Sequence, residues 1–345
     1  MHSKALTKQQ ADQLSTEQII DMRLRKTKRT FLAQINQLID WDPLVSLIEK
    51  YYTKGQTGVG RKAYSPLLLL KMSLLQTWYN LSDYGVEEQL NDSLSFMRFC
   101  GLELHNGVPD HSVLSRFRTT LSKSKAWDAI LELINEQLIS HNILLKEGAI
   151  IDASITPTAR KPKGKKTYEL REGEEPPLVE STQPGVDKEA SWVKKGGKLS
   201  YGYKRHYVSE SKSGLVLTVE TTKASAHESK HLATCISKAK LPARSRVYAD
   251  KGYSSKANES ALKAQGLRSG IQKKAVRGLP LSAKARHYNQ IVGRTRYKIE
   301  RVFGSIKSWF GGLIARYVGK ERTHGQHVLE AIAYNLYRSP GLVVG

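Results

Sequence analysis

The chain has 345 residues and a mass of 38.7 kDa, room for about two domains, and 39% of it is hydrophobic, enough for a sizeable core. A net charge of +23 makes a polyanion the expected partner and argues against a free metabolite enzyme. Two cysteines, Cys100 and Cys235, exclude a disulfide framework and a cysteine-rich zinc site.

The charge is unevenly placed: residues 1–150 carry a net +2 and residues 151–345 a net +21. A solubility device would be spread along the chain. The opening MHSKALTKQQ has no apolar signal core, and the apolar stretch from Leu67 to Tyr79 is too short to span a bilayer. No membrane partner and a cytoplasmic, nucleoid-associated location are expected.

Residues 1–58 read as a helical, basic extension with Arg23, Arg25, Lys26, Lys28 and Arg29 clustered. Residues 59–145 read as a helical domain. Pro66 opens a helix whose apolar stripe is Leu67, Leu70, Leu74, Leu75 and Trp78. Ser82 is a candidate cap for the next helix, and Gly107, Pro109 and Asp110 form a turn and a cap. The helix His111–Leu121 should bury Val113, Leu114, Phe117 and Leu121 and present Arg116 and Arg118. Short helices, tight turns and a terminal basic helix suggest a helix-turn-helix-like DNA module.

The texture changes after Glu147. Ala149, Ile150 and Ile151 form an apolar run before Asp152, as in a central buried strand. Residues 156–199, rich in Lys, Pro, Gly and Glu, read as a long loop or insertion; Arg160–Lys166 holds five cations in seven residues. Strands follow at Tyr201–Val208 and Gly214–Thr222, then a helix from Glu228 to about Ala239, and a strand Arg246–Ala249 that ends at Asp250. A helix near 255–265, a strand near 268–272 and helices near 284–311 and 323–337 complete the chain. The order predicts an α/β layered domain, residues 146–345, around a mixed sheet. Tyr201, Tyr203 and Tyr207 share one face at period two, which favours sheet packing over base stacking. Trp192 beside Lys194 and Lys195 is compatible with contact to unpaired DNA or with a loop anchored on the core.

Three acids in the basic half sit at ends of core elements or beside cations: Asp152, Asp250 and Glu300. In the helix around Glu300, Ile299, Val302, Phe303, Ile306 and Phe310 form the buried stripe. Gly293, Arg296, Glu300, Gly304 and Lys307 share another face. Grouped carboxylates repel one another, and a divalent cation removes the conflict. Hard oxygen ligands select Mg²⁺ or Mn²⁺, and a pair of such ions can drive in-line displacement at a phosphodiester. Arg296 as a bidentate fork and Lys307 as a point charge suit flanking phosphates. Glu228 is a helix cap or a peripheral acid, outside this core set.

Three blocks carry a family resemblance: Gly148-Ala149-Ile150-Ile151-Asp152-Ala153-Ser154, Val247-Tyr248-Ala249-Asp250-Lys251-Gly252-Tyr253, and Arg296-Tyr297-Lys298-Ile299-Glu300-Arg301-Val302-Phe303-Gly304-Ser305-Ile306-Lys307. With Asp187–Trp192, Tyr201–His206, Tyr79–Tyr84 and Pro109–Arg118, the chain resembles the bacterial insertion-sequence transposases of the DDE type, specifically the IS-five group, over roughly residues 45–338. Related groups place a Tyr three residues before the Arg of the signature helix; here that position is Gly293. The resemblance implies a ribonuclease-H-like catalytic domain in which Asp152, Asp250 and Glu300 hold two Mg²⁺ ions, with Mn²⁺ able to substitute. It also implies cleavage at transposon ends, joining of the freed 3′-hydroxyl to target DNA, and a homodimer on double-stranded DNA. Candidate DNA contacts are Arg296, Lys307, Lys204, Arg116, Arg118, Lys163, Lys165 and Lys166. The rival readings are a metal-dependent nuclease that cuts without joining and a DNA-binding regulator with a dead site.

Overall fold

A computed structural model describes residues 26–53, 63–164, 168–170, 178–180, 184–276 and 278–342. Arg23, Arg25, Lys165 and Lys166 lie outside them. Among the described residues no helix is long and apolar enough to cross a membrane.

Among the described residues, seven helices build the first half: α1 (Lys26–Leu38), α2 (Asp42–Glu49), α3 (Pro66–Trp78), α4 (Asp83–Asp92), α5 (Leu94–Cys100), α6 (His111–Lys123) and α7 (Ala126–Ser140). Their ends follow local chemistry. The Ser82 hydroxyl accepts the Gly85 N–H at 2.9 Å, and Asp110 accepts the Ser112 and Val113 N–H groups at 2.8 and 2.9 Å. Gly101, with φ at 73°, closes α5 in the left-handed region that glycine adopts freely. α3 departs from the expected one-sided stripe. It is buried on nearly every side from Leu68 to Trp78 and forms the centre of the helical half.

That burial takes Lys71 with it. Its ammonium lies over the Trp41 ring at 4.6 Å and the Phe99 ring at 5.2 Å, and burial lowers its pKa from 10.5 to about 8. The folded state then binds fewer protons than the unfolded one between about pH 8 and 10.5, so this group's contribution to stability rises with pH across that window. Lys71→Met should stabilise the protein by about 1–3 kcal/mol at pH 7, since a desolvated charge is replaced by an apolar chain of similar length. Urea unfolding of both proteins at pH 7 and pH 10 checks this; the gain should shrink at the higher pH.

The second half holds a six-stranded sheet from β1 (Gly148–Pro157), β4 (Ser191–Lys195), β5 (Lys198–Glu210), β6 (Val216–Lys223), β7 (Arg246–Ala249) and β8 (Arg268–Ile271). The strand order is β4-β5-β1-β7-β8, with β6 also paired to β5. β5 is antiparallel to both β6 and β1, whereas β7 is parallel to β1 and β8 to β7. β4 pairs with the front of β5, so the expected loop 156–199 contains a strand of this sheet. It also contains a separate hairpin of β2 (Tyr168–Leu170) and β3 (Leu178–Glu180). Tyr201, Tyr203 and Tyr207 are buried, with hydroxyls donated to the Asp187 carbonyl, the Asp187 carboxylate and the His327 carbonyl, so they pack and do not stack on bases.

The remaining helices are α8 (Leu232–Ala239), α9 (Lys256–Ala264), α10 (Ala283–Arg296), α11 (Lys298–Trp309) and α12 (Lys320–Arg338). Two details differ from expectation. The helix expected from Glu228 opens with a 3₁₀ turn, Glu228–His231, and the helix expected over 284–311 is interrupted at Tyr297. α12 lies between the halves, packed on α3, α6, α7, α11 and β6. Asn335 extends the β6 edge: its side chain accepts the Val216 N–H at 2.7 Å and donates to the Val216 carbonyl at 2.8 Å. Trp78 donates to the Ala333 carbonyl at 2.9 Å, and one apolar core runs from Leu32 to Leu336.

Candidate active site

β1 and β7 bring the two aspartates together. Their parallel ladder pairs Gly148 with Arg246, Ala149 with Val247 and Ile150 with Tyr248. Continuing that register by two residues sets Asp152 opposite Asp250. Side chains at matched positions of parallel strands share a face, and neighbouring strands are about 4.8 Å apart. Asp250 then caps the 3₁₀ turn Lys251–Tyr253, accepting the Lys251 N–H at 2.6 Å.

Asp152 is half-buried. Burial pushes its carboxyl above the usual range and the Glu228 charge adds to this, opposed by the Ala153 N–H, Arg296 and Lys195. Arg296 connects it to the third acid: one guanidinium nitrogen donates to Asp152 at 2.9 Å and the other to Glu300 at 3.2 Å. Glu300, with a side chain 63% exposed, therefore meets Asp152 through a cation and not directly. Among the described residues no three His, Cys, Asp or Glu side chains stand close enough to hold one ion together.

Tyr253 ends the turn that Asp250 caps. It is fully buried, its hydroxyl has no hydrogen-bond partner among the described residues, and burial raises its pKa well above the usual value, reinforced by Asp152, Glu228, Cys235 and Asp250. Lys307, half-buried on α11, has its pKa lowered by burial and then by the charges of Arg205 and Lys195. Glu228 leads the 3₁₀ turn that packs against the turn after Asp250, and it receives Lys204 at 3.4 Å and Lys195 at 3.5 Å.

The expected DNA contacts divide. Arg116 and Lys163 are exposed, Arg296 stands beside Asp152 and Glu300, and Lys307 lies half-buried on α11 near Arg205 and Lys195. Arg118 is corrected: it is 5% exposed, turned inward from α6, with Asp83 at 2.6 Å and Gln76 as its partners and the Tyr317 ring at 5.6 Å. Lys204 is corrected likewise. It is 6% exposed and donates to the Ala226 carbonyl at 2.7 Å, because β5 is covered where a surface lysine was expected. Lys195 and Tyr253 were not among the expected site residues. Gly196-Gly197 between two short Lys-containing segments is the signal for the hairpin that carries Lys195; Tyr253 closes the second aspartate block, but nothing local says its hydroxyl is buried.

The family described as Transposase DDE domain matches residues 144–336, and that described as Transposase domain (DUF772) matches residues 4–120. The first spans more than half of the chain, which belongs to the DDE transposases. The transposase for insertion sequence element IS1106 of Neisseria meningitidis serogroup B is 34% identical over 226 residues, 65% of this chain and 76% of that protein. Among solved structures, the piggyBac transposase synaptic complex with hairpin DNA aligns with a TM-score of 0.41 at 9% identity, over 92% of this chain and 82% of that one. The Mos1 mariner paired end complex with Mn aligns with a TM-score of 0.21 at 10% identity, over 92% and 91%. The protein is a DNA transposase of the insertion-sequence kind.

Proposed function

We propose that this transposase, of the IS-five group, binds the terminal inverted repeats of its element, cleaves at the ends and joins the 3′-hydroxyl to target DNA. The reading rests on one observation above all: Asp152 within β1 and Asp250 at the end of β7 lie on adjacent parallel strands, and Arg296 joins Asp152 to Glu300. A ribonuclease-H-like core for residues 146–345, a helix-turn-helix-like domain over 59–145 after the extension 1–58, and a homodimer on two DNA ends belong to the same reading.

The donor chemistry fits a divalent metal. Asp152 and Asp250 offer hard oxygens, and the buried Tyr253 hydroxyl, without a hydrogen-bond partner among the described residues, is a spare donor for a carboxylate or a bound water. Asp152, Asp250 and Glu300 would hold Mg²⁺, with Mn²⁺ as a substitute. When bound, a pair of such ions supplies activation of the attacking oxygen and stabilisation of the leaving one. Arg296 neutralises Asp152 and Glu300 before DNA arrives. Exchange of its guanidinium onto a phosphate frees both carboxylates, and the bidentate fork suits that exchange. Lys307 adds a point charge on α11, the helix that carries Glu300.

A strand-resolved assay with the native element's ends, followed by precleaved ends and a target plasmid, tests the reading. Cleavage and joining are expected. Cleavage without joined products would identify a nuclease, and binding with neither step a regulator. Lys307→Ala should weaken binding to all DNA sequences alike and reduce the slope of log affinity against log salt by about 1, measured by fluorescence anisotropy across a salt series.

A further inference from the structure

We infer that the β4–β5 hairpin, Ser191 to Ser200, holds an unpaired stretch of DNA strand beside the aspartates, with Trp192 stacked on a base and Lys194, Lys195 and Lys198 on the phosphates. The inference deepens the transposase reading above and rests on it.

The tip of the hairpin stands clear of the core. Among the described residues β4 pairs only with the front of β5, from Ser191 opposite Gly202 to Lys195 opposite Lys198, and residues 194–199 are exposed. Its tip, Gly196-Gly197, has φ values of 57° and 81°, a turn that glycines make without strain. Lys195 and Lys198 face each other across the last rung, with Lys194 adjacent and no acid between 191 and 200. Like charges directly opposite destabilise a strand pair. Glu228, 3.5 Å from Lys195, offsets part of this repulsion, and a polyanion along the hairpin removes the rest.

Trp192 points the same way. It is 40% exposed, and its ring meets Tyr201 at 5.1 Å with a 58° tilt. Tyr201 is fixed by its hydroxyl bond to the Asp187 carbonyl at 2.7 Å. The indole is thus propped by Tyr201 while part of it stays exposed. Phosphate contacts to a duplex need only cations, whereas an open aromatic face is of use to a base that has left its stack.

The hairpin is tied to the active site. The Ser191 hydroxyl bonds that of Ser225 at 3.0 Å, in the segment leading to Glu228, and Lys195 pairs with Glu228. Glu228 in turn opens the 3₁₀ turn that packs against the turn after Asp250. A strand lying along these lysines therefore passes the aspartates. The outer edge of β4 could instead receive a strand from a second copy, but lysines on an edge act against such pairing.

The test uses the full chain and element ends carrying 2-aminopurine at the nucleotides flanking the scissile phosphate. Wild type should change the probe's fluorescence on binding, and Trp192→Ala should abolish that change. Trp192→Ala should also slow cleavage of fully paired ends by about tenfold or more, with Trp192→Phe keeping most of the rate and mispaired flanks restoring it. The triple change Lys194→Ala/Lys195→Ala/Lys198→Ala should lower the salt slope by about 1 for each phosphate that is no longer neutralised. An unchanged probe signal and rate in Trp192→Ala would overturn the inference, as would variants that alter only the oligomeric state by sedimentation. A wild type that binds but never cuts would sink the transposase reading instead, and the probe signal would still decide the role of the hairpin.

Discussion

Asp250→Asn is expected to slow strand cleavage at the element ends by roughly a thousand-fold or more, with affinity for the ends unchanged. The change keeps the shape of the side chain, and the amide oxygen can still accept the Lys251 N–H that closes the 3₁₀ turn. What it removes is the negative charge beside Asp152. Asp152→Asn should act in the same direction and cost no stability, because burial already disfavours that charged carboxylate. Single-turnover cleavage together with thermal melting separates this outcome from misfolding. Cleavage near the wild-type rate in either variant would remove that aspartate from the chemistry.

Glu330→Ala is expected to destabilise the protein by about 3–5 kcal/mol, the largest effect on folding foreseen for one substitution. Arg205 is fully buried. It donates to Glu330 at 2.6 Å, to the Thr156 hydroxyl at 2.8 Å and to the Gly312 carbonyl at 2.5 Å, joining β5, β1, α12 and the segment after α11. Gln326 satisfies the other Glu330 oxygen at 2.7 Å. Removing the acid leaves a charged guanidinium without its counter-ion in the interior. Arg205→Met/Glu330→Met should recover part of the loss, since apolar chains replace both charges, although Gly312 and Gln326 lose partners. Urea unfolding of the single and double variants checks the order. A double variant less stable than Glu330→Ala would mean that the pair itself, and not the orphaned charge, holds the fold.

Local features of the fold were legible in the sequence. Ser82 and Asp110 cap helices where short polar side chains precede apolar periodicity, and Ile299, Val302, Phe303 and Ile306 bury the stripe that their spacing predicts. Asp152 and Asp250 follow apolar runs that become adjacent parallel strands. Features that depend on distant partners were not legible. Arg118 reads as a surface cation on an amphipathic helix until Asp83 and Gln76, 35 and 42 positions away, close around it. α12 reads as moderately polar, yet Gln326, His327, Glu330 and Asn335 are all buried, because each finds its partner on another element or a turn away. The Arg296–Glu300 pair is readable as an i, i+4 contact, but its second contact, to Asp152, is a tertiary fact.

Diffraction from the protein bound to its element end and soaked in Mn²⁺, collected at the manganese absorption edge, tests the central claim most directly. The account predicts anomalous peaks among the oxygens of Asp152, Asp250 and Glu300, with Arg296 moved from these carboxylates to a DNA phosphate. Peaks elsewhere, or Glu300 still held by Arg296 in a complex that cleaves when warmed, would contradict it.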